Sequence, residues 1–345
     1  MPRRLVAALT AAVVGALGVL LAGAGASPSY AGRTPKLPAT QEFVISDPTI
    51  DEASGMAASR LHPGVVFIVE DSRNGPYVYA VGGDGRTLAT FTLEGAKNVD
   101  WEAMAPSVDA EGRPTLLIGD IGDNDGKRDS VRVYEFLEPS VLEDGALRWR
   151  KWDLRYPDGA HNAEGLMVDP STLQVFVVTK QALGAGTYAV PVGAEPGGAY
   201  EMSRIGGAPM FVTDAAISPD GEPTVLRTYA TAVVVDGPGG PEVARYRLPV
   251  MPQGETLAFT ADGTALLVGT EGSNQPVDRV EVPVVTPPSA SPATSQPRSS
   301  GAPLAAGVVA AVALGLVVGA AVASRRRGRS AGKPPQQPQD SRSTT

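Results

Sequence analysis

Asn162-Ala163-Glu164-Gly165-Leu166-Met167-Val168 runs into the turn Asp169-Pro170-Ser171-Thr172, and Val175-Phe176-Val177-Val178 and Thr187-Tyr188-Ala189-Val190 follow. Short β-branched and apolar runs between turn residues read as buried strands. The stretch is an acid, a strand, a turn and two further strands, with no helical periodicity. The same order of events recurs around four more acids, in Glu52-Ala53-Ser54-Gly55-Met56, Glu102-Ala103-Met104-Ala105, Asp214-Ala215-Ala216-Ile217 and Glu255-Thr256-Leu257-Ala258. The five acids are separated by 50, 62, 50 and 41 residues, a period that belongs to propellers and solenoids.

Fourth strands are legible at Leu88–Leu93, Trp149–Leu154, Met202–Ile205 and Val243–Leu248. The fifth repeat runs out of chain before its fourth strand, while Glu42-Phe43-Val44-Ile45 stands unassigned ahead of the first. Pairing these ends closes a ring and covers edges that would otherwise template aggregation. The prediction is an all-β, five-bladed β-propeller over residues 37–285, with six blades as the alternative if the 62-residue repeat conceals further strands.

Outside that domain the composition changes twice. Met1-Pro2-Arg3-Arg4 followed by an apolar run to Ala22 has the layout of a secretory signal over residues 1–31, with cleavage after Ala26 or Ala31 and an uncleaved anchor as the alternative. Residues 286–303 hold five prolines, five serines and no acid, a composition that favours a semi-extended stalk. Leu304 to Ala323 is 20 residues without a charge, long enough to cross a bilayer as a helix. Arg325, Arg326, Arg327 and Arg329 follow, so the positive-inside rule makes 324–345 a cytoplasmic tail and the propeller extracellular. The expected protein is a single-pass membrane protein. Gly315 and Gly319 have the GxxxG spacing of close helix pairs, which this Gly/Ala/Val-rich run produces by composition alone.

Net charge is −8, from 29 basic and 37 acidic residues, but the signs are segregated. Both termini are basic, and residues 37–285 carry 18 basic against 36 acidic side chains, a net −18. Such a surface argues against a nucleic-acid partner and against unassisted capture of phosphate-rich substrates. It suits a cation. The absence of cysteine excludes disulfides, a cysteine nucleophile and thiolate metal sites.

If the strand that opens each repeat is innermost, Glu52, Glu102, Glu164, Asp214 and Glu255 gather at one mouth of the central channel. Converging carboxylates repel and titrate high unless a cation is present. Hard oxygen donors suit Ca²⁺, which takes six to eight of them, so an axial Ca²⁺ is one expectation. The other is that some of these acids accept backbone N–H groups where blades cross. Asp120, Asp123, Asn124 and Asp125 form a second carboxylate-dense loop, a candidate for another cation or an ordinary acidic hairpin tip; Ile121 breaks the EF-hand pattern. Glu70-Asp71-Ser72 and Lys180 end the matching strands of blades one and three and are expected to share a face with it. His161, just ahead of a ring acid, is a candidate general acid/base with no partner identifiable in the sequence. His62 lies in a turn and is expected to be solvated, and Trp101 is expected to pack between blades. No GxSxG, HExxH or phosphate-cradling loop occurs.

Asp100-Trp101-Glu102-Ala103, Ile118-Gly119-Asp120-Ile121-Gly122-Asp123-Asn124, Asn162-Ala163-Glu164-Gly165 and Gly254-Glu255-Thr256 together resemble secreted actinobacterial propellers described as phytase-like or as esterase-like of the phytase type. A more distant resemblance is to the calcium-activated nucleotidases, five-bladed enzymes whose axial Ca²⁺ is held by Glu and Ser side chains. It implies that role for Ser54, Glu102, Glu164 and Glu255. Two functions follow: a recognition or scaffold propeller with a structural axial cation, or a Ca²⁺-dependent phosphoric-ester hydrolase in which the metal polarises a phosphoryl oxygen. Convergence of Lys180, Arg227 and Arg128 on the cation would favour the hydrolase.

Overall fold

The computed structural model describes residues 34–71 and 75–282. The expected leader, stalk, membrane helix and cytoplasmic tail lie outside them, and among the described residues no helix is long and apolar enough to cross a membrane. The described chain forms five antiparallel blades. Their innermost strands are Ala53–Ala58, Trp101–Val108, Ala163–Val168, Val212–Ile217 and Gly254–Phe259, and each packs against the next, the fifth against the first.

Inner strands are buried on both faces and built from small residues, because neighbouring strands converge toward the axis. Gly55 shows how tight the approach is: a Cβ there would lie 2.6 Å from the backbone carbon of Ala103 on the next blade. Outer strands alternate, as in Thr87–Leu93 and Trp149–Arg155, with one face toward a neighbouring blade and one toward water. Five apolar clusters hold the ring, one between each pair of neighbouring blades.

Closure is as expected. Ala39–Val44 pairs antiparallel with Pro276–Glu281 and supplies the outer strand of blade five. There are five blades and not six. The surplus of the 62-residue repeat lies in the long connection before Trp149, whose Gly145–Leu147 adds parallel to Phe91–Leu93 at the rim of blade one. The same connection is tied down by Glu138, whose carboxylate accepts from Ser59 Oγ and from the Arg60 and Leu61 amides. His62 is therefore not simply solvated: its Nε2 donates to Pro139 O at 2.7 Å.

Two more stitches follow the same rule. Ala199–Glu201, from the corresponding connection of blade three, adds parallel to the rim of blade two, and Lys36 bridges in parallel to Arg247 on blade four. At these three junctions the segment leading into a fourth strand first pairs with the preceding blade. Alternating antiparallel pairing makes Pro276–Glu281 run in the direction of Gly254–Phe259. The described chain thus ends, at Val282, on the face opposite the mouth where inner strands begin.

Candidate functional site

Every inner strand carries a register shift against its partner near its start. The shifts fall between Ala53 and Gly55, Trp101 and Ala103, Ala163 and Gly165, Val212 and Asp214, and Gly254 and Leu257. A β-bulge leaves one residue unpaired and re-aims its side chain. The residues so placed are Ser54, Glu102, Glu164, Thr213 and Glu255, with Thr256 alongside the last. The ring at this mouth is therefore three glutamates and two hydroxyls, and two of the expected acids stand elsewhere.

Asp214 sits one residue past the bulge, wholly buried. Its carboxylate accepts the Leu257 amide of blade five at 2.5 Å and its own neighbour's, Ala215, at 2.8 Å. Burial holds it well above the usual carboxylate range against those two bonds and Arg227. It is a blade-crossing acceptor, the second of the two roles anticipated. Glu52 lies two residues ahead of the bulge residue Ser54, in the place that Asp100, Asn162 and Gln253 occupy on blades two, three and five, and is half-buried. The hydroxyls make crossings of their own: Ser54 Oγ donates to Trp101 O at 2.7 Å and Thr213 Oγ1 to Gly254 O at 3.0 Å.

Glu102, Glu164 and Glu255 are all buried and all titrate above the usual range, burial being the largest cause for each. Lys180, at the end of the second strand of blade three, is the ammonium among them. Its Nζ lies 2.6 Å from Glu164 and 3.8 Å from Glu255, and 4.9 Å from the centre of the Tyr229 ring. Burial opposes its charge, but Glu164 and Glu255 outweigh burial and raise its pKa. Around the ring stand residues that sequence reasoning did not place there. Glu271, hydrogen-bonded by Gln253 at 2.6 Å, is pushed up to about 7 by burial and then by Glu255, Asp71 and Glu52. Asp100 is pushed up to about 7 by burial and then by Asp71, with Arg128 opposing. Asp71, Lys180, Tyr229 and Glu271 occupy equivalent positions after their second strands; the sequence matched the first two, and the strand ends of blades four and five add Tyr229 and Glu271.

The second carboxylate loop does not converge. Asp120 is ion-paired to Arg128 at 2.9 Å and to Arg132 at 3.4 Å. Asp123 accepts the amides of Lys127 and Arg128 and so shapes its own turn. Asn124 Oδ1 accepts from Asn162 at 3.2 Å, and Asp125 makes an exposed pair with Lys127. These contacts are those of an acidic hairpin tip.

His161 has partners after all. Its Nε2 donates to Asp158 at 2.9 Å, Gln181 Nε2 donates to its Nδ1 at 2.9 Å, and Tyr188 Oη donates to the other Asp158 oxygen at 2.8 Å. Tyr156 stands edge-on to both rings. Both ring nitrogens are engaged, and the bonds tie the connection that leaves blade two to Gln181 and Tyr188 of blade three. Trp101 is fully buried in the apolar cluster between blades one and two, as expected of an inter-blade residue.

Of the three basic residues that decide between the functions, one reaches the ring. Lys180 does. Arg227 is wholly buried and donates to Thr256 O, with burial lowering its pKa to about 10. Arg128 is held by Asp120 and by Gly122 O at 2.7 Å.

No protein-family model matches the chain, and no curated protein matches it. Solved structures similar to it include a luciferin-regenerating enzyme, at 11% identity and a TM-score of 0.40, covering 68% of this chain and 79% of that one. The Dos1 propeller is similar at 12% identity and a TM-score of 0.36, covering 65% and 58%. A gluconolactonase from Xanthomonas campestris is similar at 15% identity and a TM-score of 0.39, covering 76% and 99%. At such identities the likeness concerns the fold alone. The chain is a five-bladed β-propeller on the strength of its own sheet topology.

Proposed function

We propose that this chain is a membrane-anchored extracellular propeller that binds a divalent cation, Ca²⁺ by its chemistry, at the acidic mouth of its channel and serves as a recognition or scaffold module. The observation that carries the reading is the imbalance at that mouth. Three buried glutamates, on the bulges of blades two, three and five and flanked by Glu52, Asp71, Asp100 and Glu271, face one ammonium, Lys180. Burying unpaired carboxylates is costly, and carboxylate-rich mouths of this kind are stabilised by a hard cation. The resemblance to Ca²⁺-dependent propellers points the same way.

The phosphoric-ester hydrolase is the second reading, favoured by Lys180 alone. A phosphoryl group brought to a metal needs further positive charge around it, and Arg227 and Arg128 are committed to a carbonyl and a carboxylate. The recognition reading therefore stands first. Metal analysis of the purified chain, combined with a phosphoester screen with and without chelator, separates the two. Stoichiometric Ca²⁺ without turnover is the expected result. Chelator-sensitive turnover would transfer the assignment to the hydrolase, and a metal-free protein that takes up no cation would refute both.

A further inference from the structure

The ring of glutamates is not symmetric about its charge. Lys180 neutralises the side formed by Glu164 and Glu255. On the other side Glu102 is 8% exposed and, among the described residues, its carboxylate receives no hydrogen bond and lies in no ion pair. A buried carboxylate without a partner is rare, because desolvation is then uncompensated. It is aimed at two more carboxylates: one oxygen each of Asp71, Asp100 and Glu102 lie within 4.8 Å of one another. Gly122 makes room for this convergence. A Cβ at that position would lie 2.3 Å from Asp100 Oδ2 and 2.5 Å from Glu102 Oε1.

We infer that the cation seat is off the axis, on Asp71, Asp100 and Glu102 over Gly122, and that Lys180 fills the other half of the ring as a resident counter-ion. This rests on the proposal that the mouth binds a divalent cation and fixes where. The flexible shell of six to eight oxygens that Ca²⁺ takes accommodates these three carboxylates more readily than the near-ideal octahedron that Mg²⁺ demands. Water completes the coordination shell. Glu164 and Glu255 are outside it.

The test measures Ca²⁺ affinity by calorimetry on the full chain, and Tb³⁺ emission sensitised through Trp101, which lies between Asp100 and Glu102 in the sequence. Asp100→Asn and Glu102→Gln should each weaken Ca²⁺ binding at least tenfold. Gly122→Ala, which removes no charge, should do the same by occupying the seat. Glu164→Gln should leave affinity within about threefold. Wild-type Tb³⁺ emission should be sensitised, and Trp101→Phe should lose the sensitised emission while still binding Ca²⁺. Should a substitution prevent folding, the wild-type emission and the Glu164→Gln affinity still decide. Binding that survives Asp100→Asn and Gly122→Ala but is lost in Glu164→Gln would overturn the off-axis seat and leave the cation reading intact. A wild-type chain that binds no Ca²⁺ would overturn the cation reading itself.

Discussion

Replacing Lys180 with Met removes the ammonium that holds Glu164 and Glu255 together while keeping most of the volume of its stem. At 2.6 and 3.8 Å, and with an effective dielectric of about 20, the two attractions amount to roughly 6 and 4 kcal/mol before the ammonium's own desolvation is subtracted. Removing one partner from a buried pair has a net cost of about 3–5 kcal/mol. Lys180→Met should therefore lower unfolding free energy by about that much at pH 8 in chelator. At pH 5 both glutamates, already held above the usual range, take up protons, and the loss should shrink to about 1 kcal/mol or less. Urea unfolding followed by far-ultraviolet circular dichroism at the two pH values reads the difference directly. A penalty that is the same at pH 5 and pH 8 would refute the reasoning, because it would mean that Lys180 contributes by packing on Tyr229 and not by charge.

Without added cation, stability should fall as pH rises. Asp100 and Glu271 are pushed up to about 7 in the fold, so between about pH 4 and 7 the folded chain holds protons that the unfolded chain has released. The stabilisation is complete below the unfolded pKa and is lost through the folded one, at about 1.4 kcal/mol per pH unit for each extra proton. A melting temperature that rises from pH 5 to pH 8 in chelator would contradict this. Deleting Gln41–Ile45 removes the closing strand with buried Phe43 and Ile45, about 3–6 kcal/mol of apolar burial, and exposes the edge of Pro276–Glu281. Cooperative unfolding should be lost, and an unchanged melt would show that the strand does not close the ring. Protease added to intact cells should release a fragment ending within 286–303; protection until lysis would reverse the expected orientation.

The blades were legible because their signals are local. Turn residues and β-branched runs mark each strand, and the N-terminal strand was recognisable as the missing partner of the last blade. The ring was less so. Glu52 and Asp214 look like Glu102 in the sequence, since each is an acid followed by small residues. What separates them is the bulge, and a bulge leaves no trace in strands that are apolar on both faces and show no alternation to be interrupted. Glu271 was missed, and Asp71 was expected beside the Asp120 loop and not in the ring, for a related reason: both belong to the ends of second strands, and only registered pairing brings those ends to the mouth. The partners of His161 come from Asp158, Gln181 and Tyr188, on three separate segments. The 62-residue repeat left six blades open as the alternative to the five that are found, because its surplus strand pairs with a different blade.

The central claim, that the acidic mouth takes up a divalent cation, is tested most directly by the unfolding free energy of the full chain as free Ca²⁺ is raised. A ligand bound by the fold and not by the unfolded chain adds RT ln(1 + [L]/Kd), about 2.7 kcal/mol at a hundredfold excess over Kd. That rise is the predicted result at pH 8, and it should diminish at pH 5, where protons occupy the same carboxylates. Identical unfolding in Ca²⁺ and in chelator at pH 8 would contradict the account.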